Sequence, residues 1–322
     1  MNRYDLLVKI ISNCDLSGAP EAVSILEEVG ALYCLGDNRR STLTEITDCD
    51  ALMAHPSVRV DRELLDCAPK LRFVGSPHTG KDHLDIDFIK KRDLHLAHIA
   101  EEVDLLSTFT ATSEMAFALL LAVVRKLPQA FDAAKTGSWD REKFTGFQLL
   151  GKTLGVLGLG RLGTISARIG QGFGMSVIAH DPQEINVPSV KMVDLDTLLA
   201  DSDILTIHVH LNSETENLIN ERTLSKMKPG SLLINTSRGR IVDETALVSA
   251  LKSGHLGGAG LDVIDGEWLT LEERAQHPLV KYSRTNENLI IVPHIGGSTK
   301  ESIYGARVFM AKKIAEWARN SA

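Results

Sequence analysis

The sequence predicts an α/β protein of two domains, a doubly wound parallel sheet and a smaller α/β domain. Three observations carry that prediction. Residues 1 to about 100 alternate short apolar runs with amphipathic ones, a second such series begins at Gly151, and a nearly all-apolar helical stretch separates the two. Strands alternating with helices imply a parallel sheet with helices on its faces. At 322 residues the chain is long enough for two domains, each with its own core.

In the first series "LLVKIIS", "ALYCLG", "ALMAH", "LRFVGS" and "LHLAHI" read as strands, and "PEAVSILEEVG", "DRELLDCAP" and "DIDFIKKRD" as helices between them. "TATSEMAFALLLAVVRKLPQAF" follows as one long helix, apolar all round and so expected to be buried between domains or subunits. The second series supplies six strands, "TLGVLG", "SVIAHD", "DILTIHVH", "SLLINTS", "GAGLDVI" and "NLIIVPH", enough for a complete doubly wound sheet. Leu289 to Val292 look like a strand buried on both faces, and Pro293, unable to donate to a ladder, ends it. His294 then sits at a strand's carboxyl end, while Gly296 and Gly297 leave room for something to come close. Ser298 with Glu301 reads as a capping box opening the last helix, which runs to about Arg319.

Composition excludes several function classes. The chain is 43% hydrophobic and 24% charged with net charge -7, and no Lys/Arg cluster suits a nucleic acid. The longest apolar run, Met115 to Val124, has ten residues, too few to span a bilayer. "MNRYDLLVKII" carries Lys9 in its apolar stretch and reads as a first strand, not a signal peptide. Cys14, Cys34, Cys49 and Cys67 form no CxxC and are expected to be reduced, buried thiols of a cytoplasmic protein. His208 and His210 share the i, i+2 spacing of one strand face, and His78 with His83 brackets a loop. Neither pair forces a metal site, and none is expected.

"TLGVLGLGRLGTISARIGQGFGMSVIAHDP" holds Gly158, Gly160 and Gly163 as G-x-G-x-x-G between a strand and a helix, with Asp181 ending the next strand 18 residues after Gly163. The triplet alone is weak; its placement is specific. The first glycine permits a tight turn, the second lets a pyrophosphate approach the backbone, and the third lets helix and strand pack closely. Phosphates would sit at the positive helix end, and Asp181 would accept from the adenosine ribose hydroxyls. No Arg or Lys follows closely in "HDPQEIN", so the reading favours NAD over NADP. The larger domain is thus of Rossmann type.

Arg238 follows "SLLINTS", Glu267 follows "GAGLDVI" and His294 ends "LIIVPH". Ligands of open α/β sheets bind outside the carboxyl ends of the strands, so the three could converge. Singly, each has a structural reading: a surface Arg, a solvated Glu, a satisfied core His. Together, beside a nicotinamide site, they suit the reduction of a 2-keto acid. The imidazolium gives the carbonyl its proton, the neutral ring takes it back in oxidation, an ionised Glu267 favours the charged ring, and Arg238 grips the carboxylate.

"GKTLGVLGLGRLG", "INTSRGRIVDETAL", "GAGLDV" with Glu267 five residues after Asp262, and "VPHIGGST" together resemble the D-isomer-specific 2-hydroxy-acid dehydrogenases, a family that includes glycerate and phosphoglycerate dehydrogenases. The resemblance covers nearly the whole chain. It implies Arg238, Glu267 and His294 as the catalytic set, and Thr79 and Gly80 of "GSPHTGKDHLD" in a loop whose amides hold the substrate carboxylate. Arg161, Leu162, Thr236 and Asp262 are implied to line the cofactor with Asp181, Asp262 near the nicotinamide amide. The expected cofactor set also takes in Val209, Ser237, Gly296 and Gly297. Residues 1–104 with 296–322 are expected to form the flavodoxin-like substrate domain and 105–295 the cofactor domain, with dimerisation through the long apolar helix.

Two departures bear on the substrate. Where the family has Pro after the catalytic Glu, Trp268 stands here, and the segment from Glu267 to His294 is longer than in short members. Trp268 is expected to offer an apolar surface near the substrate. "AHPSVRVD" offers His55 where phosphoglycerate members place an Arg, so a phosphorylated substrate is not expected. A formate-type dehydrogenase would use another partner in place of Glu267. A different class stays open as the alternative, an NAD-sensing binding protein like the corepressors that resemble this family.

Overall fold

The computed structural model describes residues 8–321 and divides into two compact units, Met1–Phe109 with Thr299–Ala322, and Thr110–Ser298. Leu6 and Leu7, included in the expected first strand, lie outside the described residues. The first division falls after Phe109 and not at 104/105, because Leu105, Leu106 and Phe109 pack into the core of the first unit.

The first unit is built on β1 (Val8–Ser12), β2 (Gly30–Cys34), β3 (Ala51–Met53), β4 (Phe73–Ser76) and β5 (His95–His98). All pair in parallel in the order β2-β1-β3-β4-β5, the flavodoxin-like winding. Neighbouring strand residues point to opposite faces, so each strand feeds two cores. Ile10, Met53 and Phe73 pack on one side with Leu26 and with Met310 and Ile314 of the last helix, while Ile11, Leu52 and Val74 pack on the other with Leu64, Leu65 and Ile89. The last helix, Lys300–Ser321, opens on Thr299, whose hydroxyl accepts from Ser302 N at 3.3 Å, in place of the expected Ser298–Glu301 box. Cys14 and Cys49 are buried and their thiols pushed up to about 12 by desolvation; Cys34 and Cys67 are exposed, against expectation.

The second unit holds seven parallel strands: β6 (Thr153–Leu157), β7 (Ser176–His180), β8 (Val190–Met192), β9 (Ile204–Ile207), β10 (Ser231–Asn235), β11 (Leu256–Leu261) and β12 (Leu289–Ile291). Their order, β12-β11-β10-β9-β6-β7-β8, reverses between β6 and β9. β8 was not among the expected strands; three residues with a central lysine give no apolar run to read. β12 is an edge strand, with only Leu289 buried, and not the doubly covered strand its apolar run suggested.

The expected long helix is two. Ala111–Val124 ends where Lys126 turns left-handed at φ +49°, and Leu127–Lys135 restarts with Pro128 in its first turn. Val103–Val124 has the length and apolar character of a membrane span, yet the chain interrupts it, and Ala111–Val124 packs on β10, β11 and β12 of its own unit. Glycines of β11 admit the helix: a Cβ on Gly260 would lie 2.9 Å from Leu119 Cβ, and one on Gly258 2.8 Å from Val123 Cγ1.

Candidate active site

The sheet of the second unit reverses between β6 and β9, and the glycine loop leaves the carboxyl end of β6. Each glycine has its own reason to lack a side chain. Gly158 turns at φ +90°, and a Cβ there would meet the His208 backbone and Val209 at 2.8 to 2.9 Å. Gly163 lies so close to β6 that a Cβ would stand 1.9 Å from the Gly158 carbonyl oxygen. A Cβ at Gly160 would meet nothing within 4 Å, so this position keeps bare backbone facing open space. Helix Arg161–Gly172 begins beside it with no side chain capping its amides. Desolvation holds the half-buried Arg161 guanidinium below its usual range. Asp181, just past β7, accepts from Leu159 N at 2.8 Å and Gln183 N at 2.9 Å, which fixes its carboxylate against the glycine loop.

Two polar atoms at neighbouring strand ends are sealed from solvent without a hydrogen-bond partner, His208 Nδ1 after β9 and Thr236 Oγ1 after β10. Desolvation pushes the His208 ring down to about 4, so it is neutral, and its Nε2 bonds Thr206 Oγ1 at 3.0 Å. β9 stops at Ile207, so His208 and His210 lie in the loop and not on one strand face as expected. Ser237 is tied down, its hydroxyl donating to Ile207 O at 2.9 Å. Bare backbone, uncapped amides, a fixed carboxylate and two open polar atoms suit a dinucleotide.

Arg238, Glu267 and His294 leave three adjacent strands of this sheet, β10, β11 and β12, at their carboxyl ends. Glu267 and His294 meet directly: Nδ1 lies 2.9 Å from Oε1 and 3.0 Å from Oε2. His294 holds the left-handed conformation, φ +52°, which costs a non-glycine residue roughly 1–2 kcal/mol. Asp262 holds it there. Its carbonyl accepts from His294 N at 2.8 Å, and its carboxylate accepts from Ile295 N at 2.7 Å and Gly296 N at 2.8 Å. Burial raises the Asp262 carboxyl above its ordinary range, opposed by the Gly296 amide and the His294 ring. Gly296, expected to make room for a ligand, makes room for this carboxylate: a Cβ would stand 2.5 Å from Asp262 Oδ2. At Gly297 a Cβ would find ordinary contact, 3.9 Å from Thr112 Oγ1. The Trp268 ring lies 6.1 Å from the His294 ring and is 46% exposed, an apolar face beside the imidazole.

Arg238 is part-buried, and its Nη1 donates to Ser237 O at 2.7 Å. Its neighbour Gly239 presses on the chain before Glu267, where a Cβ would stand 2.1 Å from Ile264 C and 2.2 Å from Asp265 N. The Arg238 and Glu267 loops are therefore locked backbone to backbone.

In the first unit His55 follows β3, and Thr79 and Gly80 follow β4, again at carboxyl ends. The His55 and His78 rings meet edge to face at 5.1 Å, His55 Nδ1 pairs with Ser57 Oγ at 2.7 Å, and buried His83 pairs with Ser76 Oγ at 3.1 Å. Thr79 is exposed and Gly80 part-buried.

Sequence reasoning missed the residues that support these groups. Asp262 was read for the cofactor, not as a clamp. Glu244 and Arg274, which bind the main chain around Glu267, and His277, which holds Glu244, were not singled out. The signals were Glu244 within the quoted "IVDETAL" and the unusual length of the segment that carries Arg274 and His277.

Known proteins resemble this chain. The family model described as D-isomer specific 2-hydroxyacid dehydrogenase, NAD binding domain, matches residues 117–296. The glyoxylate reductase of Thermococcus litoralis is 37% identical over 86% of this chain and 83% of its own length. The D-3-phosphoglycerate dehydrogenase of Archaeoglobus fulgidus is 36% identical over 88% of this chain, which spans only 52% of that protein. The structure of Aquifex aeolicus D-lactate dehydrogenase, complexed with NAD and lactic acid, superposes with a TM-score of 0.83 at 28% identity, covering 97% of this chain and 95% of that one. None of these three is a corepressor, and that alternative is left without support. The chain belongs to the family of D-isomer-specific 2-hydroxyacid dehydrogenases, NAD-dependent oxidoreductases.

Proposed function

We propose that His294, Glu267 and Arg238 carry the reaction in this chain, a hydride exchange between NAD(H) and a small D-2-hydroxy acid or its 2-keto acid. The observation that supports it is the pairing of both Glu267 oxygens with His294 Nδ1. With Nδ1–H held by the carboxylate, Nε2 is the nitrogen left for the substrate. In reduction Nε2–H gives its proton to the carbonyl oxygen; in oxidation the neutral Nε2 takes the proton from the hydroxyl. Bound NAD(H) supplies or accepts the hydride. The planar Arg238 guanidinium binds the substrate carboxylate while polarising its carbonyl. The resemblance makes Thr79, Gly80 and His55 the first unit's candidate substrate contacts, and Trp268 is a candidate apolar face beside His294.

Gly158, Gly160, Arg161, Leu162 and Gly163 are assigned to the pyrophosphate, and Asp181 to the adenosine ribose. Val209, Thr236, Ser237, Asp262, Gly296 and Gly297 are assigned to the nicotinamide half, with Gly296 acting through the Asp262 clamp. A compact unphosphorylated 2-keto acid is the favoured substrate, since the resemblance puts His55 where phosphoglycerate members place an Arg. NADH oxidation against 2-keto acids varying in length, charge and phosphate tests this. Saturation at low concentration by a small unphosphorylated acid is expected, and a decisive preference for a phosphorylated one contradicts it.

The chain is further read as a cytoplasmic homodimer. Four free cysteines suit a reducing compartment. The apolar helix expected to form the dimer contact is used inside its own unit. Exposed apolar side chains that follow it, Phe131 at 65%, Trp139 at 86% and Leu150 at 71%, are further candidates for the contact.

A further inference from the structure

The segment between Glu267 and His294 forms two short helices, Leu271–Gln276 and Pro278–Ser283. Its polar residues turn back onto the loop that carries Glu267. Arg274 Nη1 donates to the Glu267 carbonyl at 3.0 Å and to the Leu269 carbonyl at 2.6 Å. His277, joining the two helices, is only 9% exposed in its side chain, and its Nε2 lies 3.0 Å from Glu244 Oε2. The other ring nitrogen, Nδ1, accepts from Leu279 N at 3.3 Å, which places the ring proton on Nε2, facing Glu244. The second Glu244 oxygen, Oε1, accepts from Asp265 N at 2.7 Å. Glu244 thus spends both oxygens on donors from the chain around Glu267, and it sits 15% exposed, at the start of helix Glu244–Lys252.

We propose that Glu244, His277 and Arg274 are positioning residues for the reaction, bracing the main chain on both sides of Glu267 so that its carboxylate stays on His294. The inference rests on the reading of His294 and Glu267 as the acid/base pair, and it gives the long segment after Glu267 a task. Arg274 fixes the carbonyl of Glu267 itself. Glu244 fixes the amide two residues before it, and His277 fixes Glu244. A carboxylate held at one point could swing; held at three, it keeps both oxygens within bonding distance of Nδ1. Burial pushes the Glu244 carboxyl up to about 7, opposed by the Asp265 amide and helped by the charges of Asp265 and Asp243, while burial lowers the His277 ring. Its two donors need Glu244 as an acceptor, so the brace is strongest when the carboxylate is ionised.

The test compares Glu244→Ala, Glu244→Gln and Arg274→Ala with the unaltered enzyme in keto-acid reduction, with NADH affinity and unfolding followed in parallel. The expected result is a fall of about tenfold or more in kcat, with KM and NADH affinity within about twofold, since a small misplacement of a catalytic group is expensive. Glu244→Gln, which keeps an acceptor for the Asp265 amide, should recover part of the loss. Folded Glu244→Ala and Arg274→Ala enzymes that merely melt earlier, with normal kcat, would overturn the proposal. Should Glu244→Ala not fold, Arg274→Ala decides alone. His294→Asn serves as the control: full activity there overturns the acid/base reading and the brace with it, whereas normal braced-residue variants beside an inactive His294→Asn overturn the brace only.

Discussion

Replacing Asp262 with alanine should release His294 from the conformation its loop imposes. The carboxylate accepts from two successive amides, Ile295 N at 2.7 Å and Gly296 N at 2.8 Å. Hydrogen bonds to a charged group contribute about 1.5–3 kcal/mol each, and an orphaned buried amide costs about 1–3 kcal/mol. Against the sum stand the cost of burying the carboxylate, which its raised pKa reports, and the water that can reach Ile295, which is exposed. Only Gly296 N is left truly buried. The net loss should therefore be roughly 2–4 kcal/mol. His294 loses more than stability, because its left-handed conformation, φ +52°, persists only while its surroundings impose it. Released, it should relax and leave Glu267, lowering kcat on the order of a hundredfold. Urea unfolding followed by fluorescence gives the first quantity and NADH oxidation the second. An Asp262→Ala enzyme with unchanged midpoint and turnover would refute the clamp.

Other sites give independent outcomes. Gly239→Ala places a methyl 2.1 Å from Ile264 C, so the Arg238 and Glu267 loops must separate; a loss of about 1–3 kcal/mol in a denaturant melt, with reduced kcat/KM, is expected. His208 has a ring pushed down to about 4 by burial, so its contribution is fully present above its ordinary 6.5 and is lost as pH falls toward 4. That shift corresponds to at most about 3 kcal/mol, less where the ring's open edge is screened, and His208→Gln should flatten the stability–pH curve between those values in urea melts. Trp139→Glu puts a charge on a residue 86% exposed; light scattering should report monomers if this face forms the dimer, and an unchanged mass would remove Trp139 from the interface.

The tight glycine turn after β6 was legible because its glycines obey local sterics. Gly158 needs φ +90° and Gly163 needs contact with its own strand, and both demands arise within a few residues. Six of the seven strands of the second unit were legible from alternation, down to which groups follow β10, β11 and β12. What failed was whatever tertiary context decides. Leu289 to Val292 looked buried on both faces, but β12 lies at the sheet edge. The long apolar helix hid its break, since the left-handed turn at Lys126 leaves no mark stronger than Pro128. Gly296 looked like space for a ligand and is space for Asp262. The brace around Glu267 was invisible because Glu244 and His277 are 33 residues apart, and only folding makes them neighbours.

The acid/base assignment is tested most directly by single-turnover NADH oxidation in His294→Asn, with NADH binding titrated on the same preparation. The account predicts NADH affinity within about twofold of the unaltered enzyme and a hydride-transfer rate lowered by roughly a hundredfold to ten-thousandfold. Oxidation at the unaltered rate by that folded variant would contradict it.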